Sequence, residues 1–482
     1  MSRPDAALDP HRWQALAVVG TAFFMTILDV SIVNVALPSI GADLHFSREN
    51  LQWVITAYAI LFGGFLLLGG RSADLLGRRR VFMVGVVLFT LASLVCGLAN
   101  TEGVLIGARA VQGFGAAIIS PAALSIVSTS FSEGAERNKA LGVWGALGGS
   151  GAAVGVLAGG VLTKYLGWEW IFFVNVPVGA VVLALTIPLV RESRLETDRH
   201  RYDPFGALTV TAALVIFVYS ISQAPEIGWV TARTIGLLVL SAALLAVFFV
   251  LESRSDAPLV PMRIFRIRTV TGANAVGLIL GAVVFANFFL LTLYVQQVLG
   301  YSALRAGLTF LATAGTAVLA AGFAQALATR IGVKPVMVTG LVLMTIGMLW
   351  YTQIEPSGSF ASDLMPGYIA VGIALPFAFV PVTIAALAGI ADSEAGLASG
   401  VINTSQQIGG AIGVAVASTV ATSRFDSLVK TGSPVPDALT DGFSLGFWVL
   451  LGVSVAGVAA ALTLIRREEI PTEAAPAGAT SV

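Results

Sequence analysis

Charge, cysteine and histidine are scarce in this 482-residue chain, and each scarcity excludes a class of function. Charged residues make up 11% of the sequence, against roughly 25% in soluble domains, and their signs balance, which argues against a nucleic-acid partner. The one cysteine, Cys96, excludes an intrachain disulfide, and three scattered histidines offer no metal site. The sequence has no phosphate-binding Gly-x-x-x-x-Gly-Lys-Ser/Thr loop and no Ser/His/Asp arrangement, so we expect neither an enzyme nor a cofactor.

Long apolar stretches are what the chain has in abundance, since 56% of its residues are hydrophobic. A helix that crosses a bilayer needs ~20 apolar residues. The first stretch is too long for a signal peptide and carries Asp29 and Asn34, so we interpret it as a span. The predicted fold class is an all-α polytopic membrane protein with fourteen spans: 13–37, 51–70, 81–99, 103–131, 139–163, 170–190, 204–222, 232–251, 270–299, 305–328, 335–352, 362–388, 396–422 and 442–465.

The distribution of basic residues predicts the orientation of these spans. If both termini lie in the cytoplasm, twenty of the 27 lysines and arginines fall in inner segments and six in outer loops. Membrane proteins concentrate positive charge on the cytoplasmic side. Arginine outnumbers lysine 23 to 4, which suggests a high-GC bacterial source. We therefore expect a multi-pass protein of the bacterial cytoplasmic membrane with both termini inside.

Two parts of the chain resemble each other at a separation of 255 residues. Gly77 and Gly85 flank a basic turn in the first part, and Gly332 and Gly340 flank its counterpart. Convergent turn chemistry would explain one such match, but two further glycine pairs at nearly the same separation favour duplication. Internal repeats are typical of secondary transporters, whose substrate site lies between the repeats. The predicted units are a cytoplasmic segment (1–12), two six-helix bundles (13–190 and 270–465), an inserted helix pair (204–251) and a disordered tail (466–482).

Asp29 and Arg109 are the two charged residues deep inside predicted spans, where a charge costs ~2.5–3.5 kcal/mol or more. Counted from the outer ends of their helices, they lie at similar depths of ~12 Å and ~10 Å. Burial disfavours a charged carboxylate and a nearby guanidinium favours it, so Asp29 could load and release a proton. Gln112, one turn after Arg109, could orient the guanidinium. The alternative is structural: Asp29 stabilises a helix contact and Arg109 locks the bundle.

The turn between the second and third spans is a predicted cytoplasmic gate made of Gly70, Asp74, Gly77 and Arg78. Asp74 could accept hydrogen bonds from Arg78 and from the N–H groups at the start of a helix in the other half. Such a contact would hold one access state closed. The arginines by themselves would also serve as an orientation anchor.

Polar side chains within the spans are candidates for a substrate cavity, because an unpaired amide is costly in lipid. Most aromatic residues in the spans are ordinary core or lipid-facing side chains. The candidate cavity residues are Asn34, Tyr58, Asn287, Tyr294, Gln297, Asn403 and Gln407.

The chain resembles, over nearly its whole length, the fourteen-span drug:proton antiporter branch of the major facilitator superfamily. The resemblance implies two six-helix bundles around a central site, and a proton-coupling role for the arginine of the fourth-span motif, here Arg109. The segments that carry it are 28–38, 70–80, 109–113, 168–177 and 293–302.

The fifth span departs from this pattern. The branch has Gly-Pro-x-x-Gly-Gly, and the chain keeps Gly155, Gly159 and Gly160 but has Val156 where the proline stands. Losing the proline removes a kink site, so the direction of export depends on the other motifs. The glycines indicate either a moving element or a tight helix–helix contact.

Together these observations predict a proton-coupled efflux transporter that works by alternating access. Its partners would be protons, the lipid bilayer and a hydrophobic or amphipathic small molecule such as a drug, dye, antiseptic or secondary metabolite, and it would act as a monomer without a cofactor, driven by the proton gradient. Two alternatives stay open: a proton-linked importer of a small nutrient on the same fold, and a membrane sensor that transports nothing.

Overall fold

The structure is a computed structural model that describes residues 10–46, 48–132, 134–193, 203–255, 258–391 and 394–465. Over this part of the chain the secondary structure is helical, without strands. The tail 466–482 and most of the segment 1–12 lie outside the described residues. The long helices are α1 (Arg12–Asp43), α2 (Trp53–Leu76), α3 (Arg78–Gly97), α4 (Glu102–Ser130), α5 (Ala135–Tyr165), α6 (Trp170–Leu189), α7 (Pro204–Ile227), α8 (Ala232–Arg254), α9 (Arg268–Val298), α10 (Leu304–Ile331), α11 (Val333–Tyr351), α12 (Phe360–Leu387), α13 (Ala395–Lys430) and α14 (Val435–Leu464).

These helices correspond one to one with the predicted spans. Within the described residues, thirteen are long and apolar enough to cross a membrane. Helix α5 is also long, at 31 residues, and Val154–Tyr165 is an apolar part of it. Several helices extend beyond the predicted apolar stretches because polar turns at their ends also adopt helical structure. The chain is a multi-pass membrane protein.

Glycine ends the second helix of each half. Gly77, between α2 and α3, has φ +108°, and Gly332, between α10 and α11, has φ +92°. Both values lie in the left-handed region, which side chains with a Cβ rarely adopt. The glycines that mark the sequence repeat therefore sit at the same kind of tight turn in the two halves.

The pattern of helix neighbours also repeats. Helix α1 packs on α4, α5 and α6, and α9 packs on α12, α13 and α14. Helices α2 and α3 pack on α4, just as α10 and α11 pack on α12. Matching glycines allow close approaches, because a Cβ at Gly113 would lie 2.3 Å from the Tyr58 carbonyl oxygen and one at Gly372 would lie 2.6 Å from the Thr313 carbonyl oxygen.

The two halves meet where α2 packs on α13, α5 on α10 and α12, and α4 on α13. Helices α7 and α8 pack on each other, and α7 also contacts both α2 and α13. The predicted fold class, two six-helix bundles with an inserted helix pair, is confirmed. The residue boundaries given to the units stay predictions. We call the end of the bundle that carries the α2–α3 turn the basic end, after its arginines 71 and 78–80.

Candidate functional site

Asp29 lies near the middle of α1, fully buried, and its carboxylate is held by three side chains. Its Oδ2 accepts a hydrogen bond from Nη1 of Arg109 at 2.5 Å. Its Oδ1 accepts from Nε2 of Gln112 at 2.8 Å and from Nδ2 of Asn175 at 3.1 Å. The structure thus brings together the predicted trio of Asp29, Arg109 and Gln112, and it adds Asn175 from α6.

The Arg109 guanidinium has further partners that fix its position. Nε donates to the Val54 carbonyl oxygen at 2.9 Å, and Nη1 also donates to Oε1 of Gln112 at 2.7 Å. The guanidinium carbon lies 4.4 Å from the centre of the Tyr58 ring and 5.7 Å from that of Phe172, which are cation–π distances. Buried ion pairs need such additional partners to offset the loss of hydration. Tyr58, predicted to line the cavity, therefore belongs to this cluster.

Ser93 of α3 connects the cluster to α6. Its hydroxyl donates to the Phe172 carbonyl oxygen at 2.9 Å and accepts from the amides of Gln112 at 3.2 Å and Asn175 at 3.0 Å. The Cys96 thiol donates to Oε1 of Gln112 at 3.6 Å. Helices α1, α2, α3, α4 and α6 thus meet at one buried polar network. Protonation of Asp29 would remove the charge that this network surrounds.

Asp74 forms the second buried polar contact, and this one joins the two halves. Its Oδ1 accepts from Nη2 of Arg78 at 2.9 Å and from the Gly396 backbone N–H at 3.1 Å. Its Oδ2 accepts from the Leu397 backbone N–H at 2.9 Å. Gly396 and Leu397 belong to the first turn of α13, so Asp74 caps a helix of the other half and carries the charge that its positive end favours.

Glycines allow this contact to form. A Cβ at Gly70 would lie 2.3 Å from the Gly396 carbonyl oxygen, so α2 and α13 touch through their backbones. A Cβ at Gly77 would lie 2.8 Å from Oε1 of Glu192. The Glu192 carboxylate accepts from the backbone N–H of Arg79 at 3.0 Å and caps the start of α3. The four predicted gate residues therefore lie together at the basic end, with Glu192 as an addition.

The linker that follows the inserted helix pair passes close to the contact between Asp74 and α13. Arg71 of α2 donates to the Pro258 carbonyl oxygen at 3.4 Å. Arg263 pairs with Glu394, the residue just before α13. The linker therefore touches one helix from each half beside Asp74.

The glycines of α5 serve close packing on two sides. A Cβ at Gly155 would lie 1.9 Å from Oγ of Ser31, and one at Gly159 would lie 2.8 Å from a carbonyl oxygen of α1. A Cβ at Gly160 would lie 3.0 Å from Cα of Leu304, which begins α10. These glycines therefore let α5 pack closely against α1 near Asp29 and also against α10 of the other half.

The remaining predicted cavity residues have varied surroundings. Asn403 faces the interface between the halves, where its Oδ1 accepts from the Ser120 hydroxyl at 3.2 Å. Tyr294 donates to the Glu355 carbonyl oxygen at 2.7 Å near the end opposite the basic end, and Oδ1 of the buried Asn287 has no hydrogen-bond partner among the described residues. Asn34 and Gln297 are exposed and Gln407 is half-buried. That these residues line one cavity stays a prediction.

The prediction of site residues missed Ser93 and Asn175. Both are uncharged, so neither carries the cost that marks an acid or a base within a span. One signal was available, because Asn175 falls inside the 168–177 segment that carries part of the family resemblance. An amide within a span also needs a partner.

Comparison with known proteins relates the whole chain to one superfamily. The family model described as Major Facilitator Superfamily matches residues 19–414 and, in a second match, 274–481. The puromycin resistance protein pur8 of Streptomyces alboniger is 40% identical over 456 residues, which cover 93% of this chain and 89% of that protein. The cephamycin export protein CmcT of Amycolatopsis lactamdurans is 38% identical over 424 residues, covering 87% and 86%. The solved structure of the proton:xylose symporter XylE is similar in fold, with a TM-score of 0.65, 14% identity, and coverage of 96% and 98%.

Proposed function

The chain belongs to the Major Facilitator Superfamily, and from this premise we propose that it exports amphipathic small molecules in exchange for protons. The observation that carries the proposal is the buried Asp29 carboxylate, whose pairing with Arg109 would be weakened by protonation. Charged residues inside spans commonly mark ion or proton paths.

The relatives favour export over import. One is described as a resistance protein and another as an export protein, and both align with nearly the whole chain. The fold by itself does not decide the direction, because a proton:xylose symporter shares it. Substrates of the puromycin type, with an aromatic part, a nucleoside and an amine, fit the predicted class of amphipathic cargo and are the first to test.

The energetics of exchange are sufficient for export. A proton that enters down ~100 mV supplies roughly 2.3 kcal/mol, enough for about a forty-fold substrate gradient.

In our scheme the protein works as a monomer in the bacterial cytoplasmic membrane with both termini inside. Asp74 and the start of α13 close the cytoplasmic side in one access state. Proton binding at Asp29 then drives the change of access in one direction, and substrate binding between the halves drives it in the other.

The test is uptake of radiolabelled puromycin into proteoliposomes under an imposed pH gradient. Antiport predicts accumulation when the lumen is acidic, whereas a symporter accumulates substrate when the outside is acidic. Puromycin is a weak base that acid compartments trap passively, so protein-free liposomes supply the background. Accumulation of puromycin only when the outside is acidic would contradict our proposal and support the importer. Binding of puromycin without any transport would indicate a sensor.

The proton site is tested in the same assay with Asp29→Asn. We expect this variant to insert and to lose pH-driven accumulation. The control is Asp426→Asn, which removes an exposed carboxylate of α13 and should transport like the wild type. Wild-type accumulation by Asp29→Asn would reject Asp29 as the coupling residue.

A further inference from the structure

We propose that Ser93 and Asn175 are positioning residues: they keep the hydrogen-bond donors around Asp29 in the orientation that stabilises its ionised carboxylate. The inference rests on the proton role proposed above for Asp29. It concerns two neutral side chains, one on α3 and one on α6, that contact the proton site or its amide partner.

The first step is the direction of the Ser93 hydroxyl. Its oxygen lies 2.9 Å from the Phe172 carbonyl oxygen, and a carbonyl can only accept a hydrogen bond. The one hydroxyl proton is therefore committed to Phe172. The lone pairs of the Ser93 oxygen are left to accept, and the two groups they meet are the side-chain amides of Gln112 and Asn175, at 3.2 Å and 3.0 Å.

The second step is the direction of the two amides. An amide that donates to Ser93 turns its NH₂ group toward it, and the other N–H of the same group points at Oδ1 of Asp29. Arg109 fixes Gln112 from the opposite side, because a guanidinium only donates and its Nη1 lies 2.7 Å from Oε1 of Gln112. The orientation of Gln112 thus follows from two partners of opposite character, Ser93 and Arg109.

The third step concerns the proton. Among the described residues, three side chains contact the Asp29 carboxylate, those of Arg109, Gln112 and Asn175, and all three donate to it. A protonated carboxyl needs an acceptor for its O–H, and in this orientation the two amides present only N–H groups to it. The other titratable groups that act on this site are Tyr58 of α2, whose ring faces the guanidinium, and Cys96 of α3, whose thiol donates to Gln112. The hydrogen bonds of the packed network therefore stabilise the ionised form of Asp29, whereas burial opposes it.

The consequence is a coupling between the proton and the helices. Asp29 can take up a proton when α1 moves away from α4 and α6, or when the amides turn. Ser93 prevents the amides from turning, so Asp29 becomes protonated when the helices separate. Loss of either positioning residue should then let Asp29 protonate inside the packed bundle.

The experiment follows the protonated carboxyl group directly, by its C=O band in infrared difference spectra of the purified protein across a pH series. The band that disappears in Asp29→Asn is assigned to Asp29. Asn175→Leu removes one donor to the carboxylate, and we expect its titration midpoint to rise by about one to two pH units. Ser93→Ala frees both amides and should move the midpoint in the same direction. Either variant suffices if the other does not fold.

Matched controls separate positioning from general destabilisation. Ser454→Ala removes a buried serine that donates to a carbonyl of its own helix in the other half. Asn274→Leu removes a buried asparagine of α9 that likewise donates to a carbonyl of its own helix. Both should leave the Asp29 midpoint unchanged even where they lower thermal stability.

The outcomes distinguish this inference from the proposed function. Raised midpoints in Ser93→Ala or Asn175→Leu, with unchanged controls, support positioning. Midpoints equal to the wild type in both would overturn it, while the Asp29 band would still stand as support for the proton site. If no band disappears in Asp29→Asn at any pH, Asp29 does not titrate, and the proposed proton site fails together with this inference.

Discussion

Replacement of Asp74 by asparagine should open the basic end of the protein. The Asp74 carboxylate accepts from two backbone N–H groups of α13, those of Gly396 and Leu397, with a separate oxygen for each. An asparagine has one oxygen, so one of these N–H groups loses its partner. The Arg78 pair lies within the same half, and its loss therefore acts on the open and closed states alike.

The size of the effect follows from known capping energies. Loss of a helix-capping hydrogen bond costs ~1 kcal/mol, and loss of the negative charge at a helix N-terminus costs about another 1 kcal/mol in a buried setting. Water satisfies these groups once the halves part, so the cost falls on the closed state. The sum of about 2 kcal/mol corresponds to roughly a thirty-fold fall in the ratio of closed to open molecules.

Spin labels can measure this ratio as a distribution of distances. Leu76 and Ile331 are exposed, end α2 and α10 at the basic end, and belong to different halves. Cysteines at these two positions, with the buried Cys96 replaced by serine, report the separation of the halves by pulsed electron paramagnetic resonance. We expect Asp74→Asn to add a longer distance at the expense of the shorter one.

The control is Asp203→Asn. Asp203 also caps a helix, since its side chain accepts from the Gly206 backbone N–H at 2.7 Å, but that helix is its own α7. This substitution should leave the distance distribution unchanged. If Asp74→Asn gives the wild-type distribution as well, the contact between Asp74 and α13 does not hold the halves together, and our account of the gate is wrong.

Three further substitutions test other contacts. Gly70→Val should open the basic end in the same spin-label assay, because its Cβ would lie 2.3 Å from a backbone oxygen of α13, whereas Gly236→Val, with open space around the Cβ, should not. Arg109→Lys should lower pH-driven puromycin uptake roughly tenfold or more, because an ammonium keeps the charge but lacks the guanidinium fork. Glu394→Gln should change the closed-to-open ratio less than about fivefold, because its partner Arg263 is 71% exposed and water screens the pair from that side.

Each of these predictions has a result that would count against it. A closed basic end in Gly70→Val would mean that α2 and α13 tolerate a wider spacing than their backbone contact indicates. Full uptake by Arg109→Lys would show that charge alone is sufficient at this position. An effect of Glu394→Gln as large as that of Asp74→Asn would mean that the ion pair between Glu394 and Arg263, as well as the Asp74 contact, holds the basic end closed.

The two charged contacts could be foreseen from the sequence for different reasons: charge inside a span is expensive, which marks Asp29 and Arg109, and the positive end of a helix attracts an acid such as Asp74. The rise per residue alone predicts similar depths for Asp29 and Arg109, and the structure pairs them at 2.5 Å. The sequence predicts that Asp74 meets a helix start in the other half, and Asp74 meets the first turn of α13. Burial without water leaves such groups few alternatives to a partner.

The neutral members of the site could not be located in the same way. Ser93 and Asn175 resemble many small polar residues that serve only helix packing, and their role depends on which way each faces around its helix. That rotation is set by the crossing of α3 and α6 with α1 and α4, which the sequence does not specify. The same lack of rotational information explains why the predicted cavity residues, such as Asn34 and Asn287, lie in different surroundings.

The central claim of our account, that Asp29 exchanges its proton for substrate, is tested most directly by the proton itself. Puromycin added to the purified protein in weakly buffered detergent solution should release protons, which a soluble pH-sensitive dye detects. We predict release from the wild type and none from Asp29→Asn at matched protein concentration. Equal release from both proteins would contradict the account.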